Sequence, residues 1–412
     1  MSGAKGGWIG RGLLLILALS ALFRAGYLWQ YHAESAFYQD LILDAHLYDE
    51  WAGRIAGGEV VPAEPFYFAP GYPYALALVY RFVSSARIAV YVLQALLGLG
   101  CIVLVHRIAC LAYGARAALF AAGLTALYGS FPFLESKIMS AILALATLLA
   151  AMAALASAAL RSRPWLWALG GLLFGVTSLI RPETLLAGPF LLVWLFLASG
   201  KGGEEEGSGP LWRRRLPAAA LLAGGWALAI APDAAHNILA GGGRTLISSQ
   251  GGITFYQSNN PRARGLYTSL SGEGFSGDPG AQATEEKQIA EKAAGRPLDR
   301  SEVSSYWFRR GLSFIAGHPG RFLWLEGMKL LRYAGSYEYS GEYIIYVERE
   351  RVWLLWLTFV PFALILALAL PSVWPLVRRP ILALAQPSLW PLVRGPNRRH
   401  PKSKRKESGP GP

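Results

Sequence analysis

Long apolar runs recur along this sequence, and Arg or Lys residues stand beside most of them. Several runs approach the roughly 20 apolar residues that a helix needs to cross a bilayer. Charged residues make up only 16% of the 412 residues, whereas soluble domains carry about 25%. The sequence therefore predicts an all-α polytopic membrane protein.

The basic residues beside these runs predict the topology, because Arg and Lys concentrate on the cytoplasmic side. Residues 72–83 are too short to span and are predicted to form an interfacial helix. Both termini and nearly all basic clusters then lie inside; if 72–83 crossed the bilayer, the clusters would lie outside. This topology has about eight spans: 9–28, 88–105, 117–131, 139–160, 165–180, 184–198, 216–231 and 352–370.

The same pattern divides the chain into four parts. Residues 1–232 form a transmembrane core whose first external loop, 29–87, carries the candidate catalytic segment. The others are a small external α-rich cap, the last span and a basic tail that is interfacial or disordered. They comprise residues 233–351, 352–370 and 371–412, respectively.

Two further segments have local signals. In the cap, Asp299 and Glu302 have the capping-box spacing and predict a helix through Ala316, and a second helix follows Pro319. The Gly- and Glu-rich stretch 201–215 is predicted to be a flexible cytoplasmic linker.

Composition and motifs exclude several functions. The net charge of +13 comes from residues that border apolar runs, so membrane lipids rather than nucleic acid are the expected partners. Cys101 and Cys110 are nine residues apart on one apolar segment, about 13 Å on a helix and too far for a disulfide. No nucleotide-binding, metalloprotease, redox or serine-hydrolase motif occurs, and the histidines lack metal spacing. We expect no cofactor, although a divalent metal stays possible.

One carboxylate stands on an apolar helix face. Residues 44–56 fit a helix, and one face carries an acid, two aromatic residues and an isoleucine: Asp44, Tyr48, Trp51 and Ile55. A carboxylate there is costly unless it has a partner or a function. Helix capping is the alternative explanation for Asp44. Asp49 and Glu50, on the opposite face, are predicted to be solvated charges.

Other charged groups are predicted on the same external side. Glu135 follows a break at Pro132, and Arg181 precedes Pro182, although interfacial anchoring and turn formation explain both equally well. The second cap helix carries a cationic stripe that would suit phosphates, with snorkelling as the alternative. Its members are Arg321, Lys329 and Arg332. Carboxylates and cations together suit transfer from a lipid-linked phosphate, because a carboxylate can deprotonate an acceptor and cations can stabilise a departing phosphate.

A series of short motifs runs from residue 44 to residue 261, within the resemblance described next, which covers roughly residues 9–346. They are DAHLYDEWA at 44–52, GG at 57–58, PGYP at 70–73, Gly114, Glu135 after Pro132, LIRPE at 179–183 and GGITFYQSNNP at 251–261. In order and spacing the chain resembles the GT-C glycosyltransferases. It is most similar to relatives of the dolichyl-phosphate-mannose protein mannosyltransferases, glycosyltransferase family 39, and of the lipid A aminoarabinose transferase. It lacks the long soluble domains of the eukaryotic mannosyltransferases.

The resemblance implies a GT-C-like helical bundle that transfers a sugar, with inversion, from a polyprenyl-phosphate-linked donor to a lipid, glycan or protein acceptor. Asp44 would be the catalytic base and Glu135 the second acid. The implied substrate-binding residues are Tyr48, Tyr72, Arg181, Asn259, Asn260 and Lys329. The implied location is a bacterial inner membrane, with the active site on the periplasmic face.

Two other functions remain open. A transporter or flippase of lipid-linked sugars would carry charges in mid-span and show internal repeats. A non-catalytic membrane assembly protein would tolerate the loss of Asp44.

Overall fold

A computed structural model of the chain describes residues 3–161, 163–197, 211–266, 268–271, 274–278, 280–339, 341–358 and 360–371. Within these ranges the regular structure is helical, apart from two isolated bridges, so the all-α prediction is confirmed. The predicted tail, except for residue 371, and the predicted linker at 201–210 lie outside the described residues. The end of that linker, 211–215, belongs to a long helix.

The helices follow one another closely along the chain. In order they are α1 Gly3–Glu34, α2 Ala36–Gln39, α3 Asp44–Ala56, α4 Gly71–Phe82, α5 Arg87–Tyr113, α6 Ala115–Ala126, α7 Ser130–Glu135, α8 Ala141–Arg161, α9 Trp165–Ile180, α10 Gly188–Leu197, α11 Leu211–Leu239, α12 Gly251–Ser258, α13 Gln282–Ala294, α14 Arg300–Gly317, α15 Pro319–Ala334, α16 Ile345–Arg351 and α17 Phe362–Pro371. Two 3₁₀ helices, Pro182–Ala187 and Trp353–Leu357, precede α10 and α17, respectively.

Four of the described helices are long and apolar enough to cross a bilayer. They are Ile9–Glu34 within α1, α5, α8 and Arg215–Leu239 within α11. Four shorter apolar helices of 10–17 residues accompany them: Ala115–Ala126, Trp165–Ile180, Pro182–Phe196 and Phe362–Pro371. The apolar segments predicted from the sequence are thus helical, but half of them contain no helix of typical span length.

Two predicted spans are broken. Segment 117–131 divides into α6 and α7 at a turn where Gly129 meets another segment closely, since a Cβ on Gly129 would lie 2.7 Å from Thr358 Oγ1. Segment 352–370 divides into a 3₁₀ helix and α17. Pro361, between them, lacks a backbone N–H and disfavours helix in the residue before it.

Helix α11 extends beyond the predicted span, which ended at residue 231. It continues through Pro232 to Leu239, although an internal proline removes one helical hydrogen bond. The extension is held by the first loop: Asn237 Oδ1 accepts from the Phe66 N–H at 2.8 Å, and the His236 and Phe66 rings lie 4.6 Å apart.

The chain divides into two compact units, Met1–Pro361 and Phe362–Pro412. Within the first, a large hydrophobic core joins α1, α3, α4 and α5, with Tyr31, Ala52, Leu76 and Tyr91 among its buried members. The cap helices α12, α13 and α14 form a separate cluster around Trp307. Both predicted cap helices are present, and Asp299 and Glu302 form the predicted capping box. The division of core from cap at residue 232 stays a prediction.

Helices α9 and α11 touch along their backbones. A Cβ on Gly171 would lie 2.0 Å from the Leu222 carbonyl oxygen, and one on Gly225 would lie 2.2 Å from that of Ala168. Contacts this close require glycine, and small residues are the usual means by which membrane helices approach each other.

Gly171→Ala is therefore expected to lower stability by about 1–3 kcal/mol, because the methyl group must push α11 away. Thermal unfolding in detergent measures the loss. Gly224→Ala on α11 is the matched control, since its Cβ would meet no atom within 4 Å. Unchanged stability of Gly171→Ala would contradict the observed helix contact.

Candidate active site

Helix α3 begins at Asp44, as predicted, and the residue before it is strained. Leu43 has φ of +47° and ψ of −121° and occupies the N-cap position without a side-chain cap. It is the one non-glycine residue with positive φ in the described part of the chain, and such conformations cost about 1–3 kcal/mol. Asp44 follows the N-cap, so the capping alternative is wrong. Strain of this kind clusters at functional sites.

Asp44 lines a cavity of about 410 Å³ whose walls come from the first loop, the cap and the segment before α16. Four carboxylates line it: Asp44, Asp278, Glu285 and Glu342. Cavities of this size and mixed lining are typical of small-molecule sites. The first loop and the cap are joined beside it, because the Tyr67 hydroxyl donates to Glu286 Oε2 at 3.2 Å and accepts from Gln282 Nε2 at 2.8 Å.

Glu342 is the acid beside Asp44, and sequence reasoning missed it. Burial, followed by the charge of Asp44 and a hydrogen bond with its carboxyl group, raises the pKa of Glu342 to about 8. The Glu342 carboxyl group therefore holds a proton at neutral pH. Glu342 Oε2 is buried and has no partner among the described residues. The only sequence signal is a lone acid within the aromatic stretch YSGEYIIY.

Tyr48 is close enough to Asp44 and to Arg181 to feel both charges. Burial and then the charge of Asp44 raise the pKa of Tyr48 to about 12, while Arg181 acts in the opposite direction. The hydroxyl therefore keeps its proton at neutral pH. The Arg181 side chain is 41% exposed and lies 3.9 Å from the Glu183 carboxylate, which leaves the guanidinium accessible to a further anion.

Two of the sequence motifs meet at this site. The PGYP motif opens α4, and LIRPE ends α9. A Cβ on Gly71 would lie 2.7 Å from the Leu179 carbonyl carbon, so only glycine permits this approach. The contact holds Arg181 against the first loop.

Glu135 lies away from the cavity lining. It is 1% exposed, and Arg24 binds it through two hydrogen bonds of 2.7 and 2.8 Å. Gly98 makes room for the pair, since a Cβ there would lie 1.8 Å from Glu135 Oε1. The predicted role of Glu135 as a second acid stays a prediction, but the position beside Asp44 belongs to Glu342.

Three other predicted substrate-binding residues make structural contacts. Tyr72 is buried under Tyr48, with ring centroids 5.3 Å apart, and its hydroxyl donates to Gln94 Oε1 at 3.0 Å. Asn260 is fully buried and closes the turn after α12, accepting from the Arg262 N–H at 2.8 Å. Asn259 ends α12, and its buried Oδ1 has no partner among the described residues.

The cationic stripe on α15 is engaged within the cap. Arg321 donates to the Ala263 carbonyl at 3.0 Å, Arg332 donates to the Arg264 carbonyl, and Lys329 lies 2.6 Å from the Glu326 carboxylate. None of the three lines the cavity. Their predicted contact with a donor phosphate stays a prediction.

A buried ion pair holds the segment that carries Glu342. The Lys137 ammonium lies 3.3 Å from Glu348 Oε2, and both side chains are at most 1% exposed. Four aromatic rings surround the ammonium within 4.0–5.5 Å: Tyr31, Phe37, Phe133 and Tyr343. Cation–π contacts and the ion pair thus fix α16, and Glu342 just before it, to the bundle.

In the ranges that the structure describes, no group of three or more His, Cys, Asp or Glu residues could hold a metal ion. The expectations about cofactors and metal stay predictions.

The apolar helices define an integral membrane protein, and the cavity with its carboxyl pair gives it a candidate active site. Residues 64–205 match the family model of the dolichyl-phosphate-mannose-protein mannosyltransferases. The resemblance predicted from the motifs is confirmed over these residues, and the family suggests a membrane glycosyltransferase of the GT-C type. The matched range includes Tyr72, Glu135 and Arg181 but not Asp44. No curated protein and no solved structure matches the chain.

Proposed function

We propose that this protein is an inverting glycosyltransferase that moves a hexosyl or pentosyl group from a polyprenyl phosphate to a lipid, glycan or protein. The observation that carries the proposal is the Asp44–Glu342 pair on the wall of the cavity. We place the reaction on the external face of a bacterial inner membrane, in accordance with the distribution of basic residues.

In the proposed step, the Asp44 carboxylate accepts the proton of the acceptor's hydroxyl group. At the same time the oxygen of that hydroxyl group attacks the anomeric carbon of the donor sugar. The bond from that carbon to the phosphate oxygen breaks, and the polyprenyl phosphate leaves with the electron pair. Attack opposite the leaving group inverts the anomeric configuration. The step needs no organic cofactor, because the donor itself supplies the leaving group.

Two neighbours support this step. Arg181 is a partly exposed cation whose charge acts on Tyr48, and it would stabilise the charge on the departing phosphate. Glu342, protonated below pH 8, would donate a hydrogen bond to Asp44 and fix its orientation. A transporter would use buried carboxylates without partners in the middle of its spans. Glu135 does not meet this description, because Arg24 neutralises its charge.

A transfer assay tests the proposal. The purified protein in nanodiscs receives a radiolabelled short-chain polyprenyl-phosphate sugar and a membrane extract as the source of acceptors. Labelled glycan or glycolipid of inverted configuration supports the proposal. Vesicle translocation of the donor without any transfer would support a flippase instead.

Glu342→Gln should keep the hydrogen bond to Asp44 and remove a pH dependence. The pKa of Glu342 is higher in the folded state than in the unfolded chain, so its contribution to stability is complete below about pH 4.5 and is lost as pH rises through about 8. Wild-type thermal stability should therefore fall over this window more steeply than that of Glu342→Gln. Comparing the two proteins cancels the other titrating groups. Parallel curves would contradict the raised pKa of Glu342.

A further inference from the structure

The cavity beside Asp44 has a negative lining. Among the residues that the structure describes, none of its lining side chains is Lys or Arg. Asp278 and Glu285 are held in place by backbone groups: the Gly280 N–H donates to Asp278 Oδ1 at 2.9 Å, and the Ser276 N–H donates to both Glu285 oxygens at 3.1 and 3.2 Å. Together with the Asp44–Glu342 pair, they place fixed negative charge around a small space.

The rest of the lining suits a hydroxylated ring. Three of the lining residues are amides, Gln250, Gln257 and Gln282, and each side chain carries both donors and an acceptor. Gln257 is 6% exposed and lies within 3.4 Å of Gln282, so its orientation is fixed. Phe68 and Phe275 add aromatic surface, against which the C–H face of a sugar ring can pack.

We propose that this cavity binds the acceptor as an uncharged or amino-bearing carbohydrate ring and excludes rings that carry a carboxylate or phosphate. The assignment to the acceptor rests on the function proposed above, in which Asp44 deprotonates the acceptor hydroxyl. The donor phosphate is anionic and would be repelled by the same carboxylates, whereas Arg181 lies outside the lining and its side chain is 41% exposed.

Binding of three sugars that share one ring tests the charge selection without any transfer reaction. Saturation-transfer NMR on the protein in nanodiscs compares glucose, glucosamine and glucuronate at a pH where the amine is protonated. Glucosamine should bind at least as tightly as glucose, and glucuronate at least about tenfold more weakly, because like charges at close range oppose binding. Glucuronate binding as tight as glucose, or no binding by any of the three, overturns the proposal.

Two variants locate the effect in the cavity. Glu285→Gln and Asp278→Asn each keep a side-chain oxygen that can accept from the backbone N–H, and each removes one negative charge. Each variant should therefore lower the ratio of glucose affinity to glucuronate affinity severalfold. Glu59→Gln, at an exposed position outside the lining, is the matched control and should leave the ratio unchanged. If neither cavity variant changes the ratio of the two affinities, the selection against the negatively charged sugar arises at another site.

A final arm distinguishes the donor sugar from the acceptor sugar. Asp44→Asn is expected to slow turnover by at least about 100-fold, so this variant can be saturated with a short-chain polyprenyl-phosphate glucose before free sugar is added. Free glucosamine should still bind; its displacement by the donor would assign the cavity to the donor sugar and overturn the proposal. Charge-selective binding by a protein that shows no transfer would instead leave the charge selection of the cavity intact and reject the catalytic function.

Discussion

Asp44→Asn is expected to lower sugar transfer by at least about 100-fold, with normal membrane expression and thermal stability. Asparagine matches aspartate in size and can keep the contact with Glu342, but its amide cannot accept the proton of the acceptor. General bases contribute about 10²–10⁴-fold to rates. Initial rates in the nanodisc transfer assay, normalised to folded protein, measure the effect.

The choice of control follows from the structure. Asp49, predicted to be a solvated charge, accepts a hydrogen bond from Tyr80 on α4, so the prediction was wrong and its replacement would also disturb packing. Glu50 is exposed on the same helix, and Glu50→Gln should retain wild-type rates. Retention of more than about a tenth of the activity by Asp44→Asn would fall outside the range for a general base and make Glu342 the next candidate.

Glu135→Gln is expected to destabilise the fold by about 3–5 kcal/mol, because Arg24 is then left buried without a counter-charge. Both side chains are at most 3% exposed, and the guanidinium binds both carboxylate oxygens. Thermal unfolding in detergent should show the loss, while the transfer rate per folded molecule stays close to that of the wild type.

A double variant separates structure from catalysis. Arg24→Met with Glu135→Met replaces the pair by apolar groups, which is often neutral for stability, so much of the lost stability should return, together with activity. If Glu135→Gln instead folds normally and loses its transfer rate, Glu135 is the second acid that the family resemblance implies.

Local features were predictable from the sequence. The helix that begins at Asp44 follows from its spacing of aromatic residues, and the helix that begins after Asp299 follows from the capping box. The apolar runs likewise predict helices because their length and composition are local properties. The break at Gly129 accompanies a contact with the distant Thr358 and could not be predicted in this way, whereas Pro361 is a local signal for the break in 352–370.

The partners of the charged groups depend on the fold. Arg24 and Glu135 are separated by 111 residues, and each has an ordinary explanation at a span end when it is considered alone. Glu342 has no motif of its own and becomes a site residue only because Lys137 and Glu348 fix its segment beside α3. Arg321 and Arg332 form a stripe on their helix, yet both serve the carbonyl groups of a loop that the sequence does not place near them.

The two walls of the cavity are anchored in different cores. Asp44 and Glu342 are adjacent to residues of the large bundle core, whereas Gln257 and Glu285 belong to helices around Trp307 in the cap. Substitutions in the cap can therefore accumulate without disturbing the carboxyl pair. In evolutionary terms, under the function proposed above, the fold would allow acceptor preference to diverge among descendants while the chemistry of transfer is inherited unchanged, and the cap would be the part to exchange when a new acceptor is wanted.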